Sequence, residues 1–259
     1  MHPILFRIGS FELYTYGAFL AIAFLVAIYL GMHETRRVGL KPELAADLGI
    51  VIIIAAIVGA RIFYILFYDL HYTLEHPLEL LKLRQTGLVY YGGLIFAVGA
   101  GLAYCKWKKV PLLLMLDVGA PSIAIGQAIG RIGCFMSGCC YGKPTWIPWA
   151  VKFPQLEYLR HPTQLYESIA VFAIFVVLMG FRKNKTHNGQ VALLYALLYA
   201  PARFAIEFFR GDNPQVLFGM TISQVVSVVI FTGAVIIGLY MRRSSAKAEK
   251  PAEMASAKR

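Results

Sequence analysis

Seven runs of mostly apolar residues, roughly 13 to 32, 46 to 68, 88 to 105, 112 to 135, 164 to 181, 189 to 209 and 219 to 241, follow one another along the chain. Each is close to the about 20 residues a helix needs to cross a bilayer. A helix satisfies its own backbone polar groups, which a lipid environment demands of any spanning segment. Composition agrees: the 259 residues are 58% hydrophobic and only 15% charged, against about 45–50% and 25% in soluble domains. The expected fold is therefore all-α, a polytopic membrane protein of about seven transmembrane helices.

Charge supplies a second reading of the same runs. A net charge of +11 would suit a nucleic-acid binder if the basic residues formed one patch, but they sit beside the ends of the apolar runs. Arg36, Arg37 and Lys41 follow the first run, Lys106, Lys108 and Lys109 the third, and Arg182, Lys183 and Lys185 the fifth. Arg242, Arg243, Lys247, Lys250, Lys258 and Arg259 follow the seventh. The loops between carry fewer: Arg7, Lys82, Arg84, Lys143, Lys152, Arg160 and Arg210. The positive-inside rule then puts the N-terminus outside and the C-terminus in the cytoplasm, with no role for nucleic acid. The first run has its basic flank after it and no small-residue cleavage pattern, so it reads as a retained span. No fixed-period or inverted repeat points to a secondary transporter. Residues 1–243 read as one integral membrane domain. The segment "SSAKAEKPAEMASAKR", 244–259, is too small and charged to build a core and reads as a disordered cytoplasmic tail. Between the second and third runs, Leu70, Leu74, Leu78 and Leu81 suggest a short amphipathic arm lying on the outer surface.

Three arginines remain, each within or at the end of a run: Arg61, Arg131 and Arg203. A charge at bilayer depth costs at least about 2.5 kcal/mol. Arg61 reads as a snorkelling or paired residue. Arg131 and Arg203 have too few acids nearby in sequence to neutralise both, which favours a role for them. In "RFAIEFFRGDNP", residues 203–214, Arg203, Glu207 and Arg210 share one helical face. One carboxylate between two guanidiniums leaves a net positive site suited to phosphate, which guanidinium grips through paired charge-assisted hydrogen bonds.

Other polar residues cluster at the ends of the runs. "HPTQLYES", 161–168, opens the fifth run with Pro162 at a position where its missing N–H is not needed. His161 reads as a capping or interfacial residue, with Gln164 and Tyr166 beside it. Glu167, inside a span, calls for an arginine from a neighbouring helix. In "YYGG", Tyr90 and Tyr91 precede Gly92 and Gly93, which permit close helix approach. Gly126, Gly130 and Gly133 offer the same beside Arg131. Of four cysteines, Cys105 reads as packing, whereas Cys134, Cys139 and Cys140 fall toward the oxidising side, where a link from Cys134 to Cys139 or Cys140 is plausible. Their spacing matches no zinc finger and shows no fourth ligand, so no metal is expected.

Taken in order, "YTYG" (14–17), "GARIFYILFY", "YYGGL" (90–94), "GRIGCF" through "YG" (130–142), "HPTQLYE" (161–167), "RFAIEFFRGDNP" (203–214) and "TISQ" (221–224) resemble the prolipoprotein diacylglyceryl transferase family over nearly the whole chain. The resemblance implies a bacterial inner-membrane enzyme with its site on the extracytoplasmic side. Such an enzyme moves the diacylglyceryl group of phosphatidylglycerol onto the lipobox cysteine of a preprolipoprotein signal peptide, forming a thioether and releasing glycerol phosphate. It implies no cofactor. Arg131 and Arg203 would act on the lipid phosphate with Glu207 holding the arginines, and Tyr91 and His161 are further catalytic candidates. Tyr16, Arg61, Gly92, Gly93, Gly130, Gly142, Gln164, Tyr166, Glu167 and Arg210 would line the substrate site. The chain departs from the family pattern where Tyr91 replaces a histidine and where Cys134 and Cys139 replace an asparagine and an acid. A phenol of pKa about 10 is a poor base near neutrality. Proton removal then falls to His161 or Glu167, or matters less than stabilising the leaving group. A different acceptor, or an anion or lipid transporter using the same arginines, stays open at this point.

Overall fold

The computed structural model describes residues 3–8, 11–75, 87, 89–154 and 156–256. Long helices occupy all seven apolar runs: α1 (Thr15–Arg37), α2 (Glu43–Tyr64), α4 (Tyr90–Trp107), α5 (Leu112–Ser137), α6 (Thr163–Phe181), α7 (Gln190–Glu207) and α8 (Ile222–Ser256). A π-helical turn, Ile65–Asp69, and the short α3, Leu70–Glu75, prolong α2. Residues 76–86, most of the expected surface arm, lie outside the described residues.

Among the described residues, five helical stretches are long and apolar enough to cross a membrane: Thr15–Arg37, Glu43–Tyr68, Leu112–Ser137, Thr163–Phe181 and Ile222–Arg242. The other two long helices, α4 and α7, have 18 residues each. Helix α7 is diluted by Gln190, Pro201, Arg203 and Glu207.

The chain divides into two compact units, Met1–Ala27 with Gly119–Arg259, and Ile28–Val118. The core of the first unit is a seam of small residues on α5, Ala120, Ala124 and Ala128, against Val171, Ile174 and Leu178 of α6 and Val191 of α7. Alanines four apart form one flat stripe that lets helices approach closely. The opposite face of α6 keeps Ile169, Phe172, Val176 and Val177 exposed, as a lipid-facing helix would. Helix α8 packs along α7. Its start is a capping box made by "TISQ": the Thr221 N–H donates to Gln224 Oε1 at 3.0 Å, and the Gln224 N–H donates to Thr221 Oγ1 at 3.3 Å. Three small antiparallel hairpins complete the described structure: β1 (Ile4–Ile8) with β2 (Phe11–Tyr14), β3 (Val151–Lys152) with β4 (Leu159–Arg160), and β5 (Gln215–Leu217) with β6 (Met220–Thr221).

In the second unit α2 packs on α4 through glycine. A Cβ on Gly92 would lie 2.5 Å from the Gly59 carbonyl oxygen and 2.4 Å from the Phe63 Cβ, and one on Gly93 would lie 2.9 Å from the Ala56 oxygen. Only glycine fits at such distances, so this pair sets the helix separation.

Candidate active site

The polar residues of the first unit gather where the C-terminal end of α5, the N-terminal end of α6 and the C-terminal end of α7 meet. Arg131, six residues before the end of α5, reaches across to α6: its Nη2 lies 2.9 Å from Glu167 Oε1. Glu167 is 2% exposed and Arg203 8%. Arg203 Nη1 is in ion-pair contact with Glu207 Oε2 at 2.5 Å, without the alignment of a hydrogen bond, and Arg203 Nη2 donates to Ser223 Oγ at 3.0 Å.

Two sequence expectations need correction. Both arginines do find a carboxylate, because Glu167 serves Arg131 and leaves Glu207 for Arg203. Nor is Glu207 the sole acid between Arg203 and Arg210. Arg210 stands 3.9 Å from Glu207 but forks onto Asp212, with donor–acceptor distances of 2.9 and 2.6 Å. Burial alone would lower the Arg210 pKa, but the hydrogen bond and charge of Asp212 raise it. Three guanidiniums therefore face three carboxylates, and any anion must be held by directed N–H donors rather than by net charge.

Sequence reasoning missed the residues that link these pairs. The Tyr199 hydroxyl stands 3.4 Å from Glu167 Oε1 and accepts from Gln127 Nε2 at 2.6 Å. Gln127 Oε1 accepts in turn from the Tyr195 hydroxyl at 2.8 Å. Tyr195, Tyr199, Arg203 and Glu207 recur every four residues and so share one face of α7. That spacing was the available signal. Glu207 is further held by Asn213 Nδ2 at 2.5 Å and Thr221 Oγ1 at 2.8 Å, both donating to its Oε1.

The loop after α5 is fastened from α6. Gln164, 1% exposed, donates from Nε2 to the Cys139 carbonyl at 2.5 Å, and Thr163 Oγ1 donates to the Cys140 carbonyl at 2.9 Å. Gly142 is boxed in: a Cβ there would lie 2.6 Å from the His161 Cβ and 2.7 Å from the Phe209 oxygen. The two neighbouring strands bond through it, the Gly142 N–H to His161 O at 2.9 Å and the Lys143 N–H to Phe209 O at 2.8 Å. His161 Nδ1 faces the Tyr166 hydroxyl at 3.1 Å, its ring packs on Phe209, and burial lowers its pKa. Gly133 brings α1 close, its added Cβ meeting Phe19 Cβ at 2.8 Å and Tyr16 Cδ2 at 3.6 Å. Gly130 does not share that role, because among the described residues nothing lies within 4 Å of a Cβ built there.

The cysteines Cys134, Cys139 and Cys140 are free thiols whose sulfurs all lie within 4.8 Å of one another. Hydrogen bonds from Cys134 and Cys139, helped by the charges of Arg210 and Arg131, lower the Cys140 pKa, while the Cys139 thiol is pushed up. Cys139 also lines a hollow of about 570 Å³ with Pro3, Tyr14, Tyr16, Gly17 and Ser137. These thiols are the described residues suited to a metal.

Of the remaining sequence candidates, Arg61, Tyr91, Gly92 and Gly93 belong to the second unit. Arg61 does not snorkel: it is 3% exposed, with its guanidinium 5.7 Å from the Tyr64 ring centroid. Tyr91 is 45% exposed and meets the Tyr90 ring edge-on.

A family model described as prolipoprotein diacylglyceryl transferase matches residues 3–240. Among similar proteins is the phosphatidylglycerol–prolipoprotein diacylglyceryl transferase of Clostridium tetani, 36% identical over 246 residues, covering 93% of this chain and 96% of its own. The protein of the same name from Clostridioides difficile is 34% identical over 95% of this chain and 97% of its own. That of Trichormus variabilis is 35% identical over 89% and 86%. On a match of this extent the chain belongs to the prolipoprotein diacylglyceryl transferase family.

Proposed function

We propose that this chain transfers the diacylglyceryl group of phosphatidylglycerol to the lipobox cysteine thiol of a preprolipoprotein, forming a thioether and releasing glycerol phosphate. The observation that carries the reading is the pairing of two arginines with buried carboxylates in one unit, half-buried Arg131 with Glu167 and buried Arg203 with Glu207, linked along one face of α7 by Tyr199. In the reaction the acceptor sulfur forms a bond to the glyceryl CH₂, and the bond from that carbon to the phosphate oxygen breaks. The phosphodiester leaves as a phosphomonoester and gains negative charge. Guanidinium donors aimed at those oxygens then stabilise the transition state more than the ground state. The carboxylates keep the guanidiniums oriented beforehand, so little reorganisation is needed as charge develops. Arg131, with 21% of its side chain accessible, is the better placed of the two to meet a lipid phosphate.

The same reading puts all seven long helices across a bacterial inner membrane. Helices α4 and α7 would be the polar-tolerant spans. The N-terminus and the active site would be extracytoplasmic, and residues 244–259 a basic cytoplasmic tail. The asymmetric distribution of lysine and arginine supports that orientation. His161, neutral near pH 7 because burial lowers its pKa, is available as a proton acceptor. Tyr16, Gly142, Tyr166 and Arg210 would shape the entrance.

The test is direct. Purified protein in detergent is given phosphatidylglycerol and a synthetic lipobox peptide. The expected result is a diacylglyceryl mass increment on the peptide cysteine with equimolar glycerol phosphate. Glycerol phosphate without peptide modification overturns the assigned acceptor, and the absence of both products overturns the activity.

A further inference from the structure

Helix α5 ends in a left-handed turn that brings distant side chains together. Gly138 has φ +75°, its N–H donates to the Phe135 carbonyl at 3.1 Å, and the Cys139 N–H donates to the Cys134 carbonyl at 3.2 Å. This Schellman pairing stacks the second residue past the helix end on the third residue before it. Usually two apolar side chains meet there. At the end of α1, where Gly39 makes the same turn, the corresponding residues are Thr35 and Leu40. In α5 the two positions are Cys134 and Cys139. Cys140 then takes φ +64°, uncommon for a residue with a side chain, and its sulfur comes within 3.4 Å of Cys139 Sγ.

We propose that Cys134, Cys139 and Cys140 form an open three-thiolate site for a soft divalent cation of the zinc class, and that its fourth position receives the thiol of the acceptor peptide. The second half of that statement rests on the proposed transferase reaction. Zinc–sulfur bonds of about 2.3 Å in a tetrahedron separate the sulfurs by about 3.8 Å, and the three sulfurs here lie within 4.8 Å of one another. Small rotations of the side chains close the difference. Thiolate ligands select zinc over magnesium or calcium. A structural zinc site needs four protein ligands, but a catalytic one has three and an open position. This arrangement is of the second kind.

Two further features point the open position toward substrate. Cys134 is buried and Cys139 exposed, so access comes from the side of Cys139, which lines the hollow shared with Tyr14, Tyr16 and Gly17. Arg131 precedes Cys134 by three residues on α5 and so shares its face, which sets a phosphate-binding group one turn from the metal. The loop itself is anchored by Gln164, whose Nε2 holds the Cys139 carbonyl while its buried Oε1 has no hydrogen-bond partner among the described residues. In the reaction the acceptor S–H proton passes to solvent as the sulfur binds the cation. A sulfur lone pair then forms the bond to the glyceryl CH₂, and the phosphate departs with the electrons of the broken C–O bond.

The full-length chain, purified in detergent and reduced under anaerobic conditions, is titrated with Co²⁺ as a spectroscopic probe and with Zn²⁺ in competition. One Co²⁺ per chain is expected, with sulfur-to-cobalt charge transfer and tetrahedral d–d absorption. Cys134→Ser and Cys140→Ser should each weaken binding at least as much as the loss of an outer-shell partner, about 10–100-fold, while Cys105→Ser changes nothing. A lipobox peptide should shift the charge-transfer bands, and its Cys→Ser counterpart should not. Binding no tighter than in a C134S/C139S/C140S variant overturns the site. So does isolation of a disulfide among the three thiols whose reduction restores no metal binding. Bands indifferent to the peptide thiol overturn the open position. Metal binding and a peptide response without thioether formation would sink the transferase reading and leave the site standing. Thioether formation at full rate in Cys140→Ser would do the reverse.

Discussion

The ion pairs made by the buried carboxylates Glu207 and Glu167 of the first unit are built differently. Glu207 is held on both sides: Asn213 and Thr221 donate to one oxygen, while Arg203 and Arg210 face the other in ion-pair contact without an aligned hydrogen bond. All these partners lie on α7 or in the chain just after it. Glu167 meets Arg131 from another helix at 2.9 Å, with a long contact to Tyr199 at 3.4 Å besides. The first pair is a local clamp tying the end of α7 to the start of α8. The second joins two helices at a partly accessible guanidinium. The clamp should govern stability and the cross-helix pair should govern chemistry.

Removing Glu207 attacks the clamp and should give the largest effect. Glu207→Ala leaves Arg203 without its carboxylate, while Arg210 keeps Asp212, and breaking such a buried pair costs about 3–5 kcal/mol. The expected result is a much lower unfolding midpoint in detergent and little folded protein. Glu207→Gln, whose amide oxygen can still accept from Asn213 and Thr221, should recover part of that loss. If the alanine variant melts like the wild type, the distinction between the two pairs disappears.

Arg131→Ala should do the opposite, folding and inserting while losing turnover. Loss of one preorganised donor at a developing anion costs about 10²–10³-fold, and a charged donor should lie at the upper end. Rates of thioether formation, read with the melting temperature, check this. Arg131→Lys should restore little, because an ammonium cannot reproduce the fork that grips two phosphate oxygens. Full activity in either variant would remove Arg131 from the mechanism.

The local pair was legible in the sequence and the cross-helix pair was not, for a geometric reason. Arg203, Glu207 and Arg210 sit three and four residues apart, and helical spacing puts them on one face whatever the rest of the fold does. Glu167 could be seen to need an arginine, but which one depends on how α5 and α6 pack. The apolar runs located the long helices to within a few residues, except that α8 continues past its run to Ser256, because lipid-facing surface is written in consecutive residues. Asp212 was missed as the partner of Arg210, since its role depends on how the chain doubles back after α7. The cysteines were judged by zinc-finger spacing, which describes closed sites. Their convergence follows from the turn at Gly138, and a glycine just past a helix end was the sign of it.

Glu167→Gln sharpens the comparison at smaller amplitude. The amide keeps an oxygen near Arg131 but no charge, so the guanidinium should stay in place with its orientation loosened. A fall in turnover of about tenfold is expected, as for the loss of an outer partner that orients a functional group, with the melting temperature less affected than in Glu207→Gln. The ratio of the two variants' effects on rate and on stability should invert between them. Equal behaviour would mean both pairs are structural.

His161 gives the smallest effect and the one with a pH sign. Burial lowers its folded pKa below the ordinary 6.5, so the folded protein binds fewer protons than the unfolded chain between those two values. Stability attributable to the neutral ring is thus fully present above about pH 6.5 and is lost as pH falls toward the folded pKa. His161→Gln removes that proton difference while keeping a polar group beside the Tyr166 hydroxyl. Melting curves of both proteins between pH 8 and 5 should converge as pH falls, the wild type losing more of its stability. No comparable term is expected at the Glu207 clamp over that interval, so Glu207→Gln should run parallel to the wild type. A wild-type advantage over His161→Gln that is constant with pH would mean that His161 titrates alike in the folded and unfolded states.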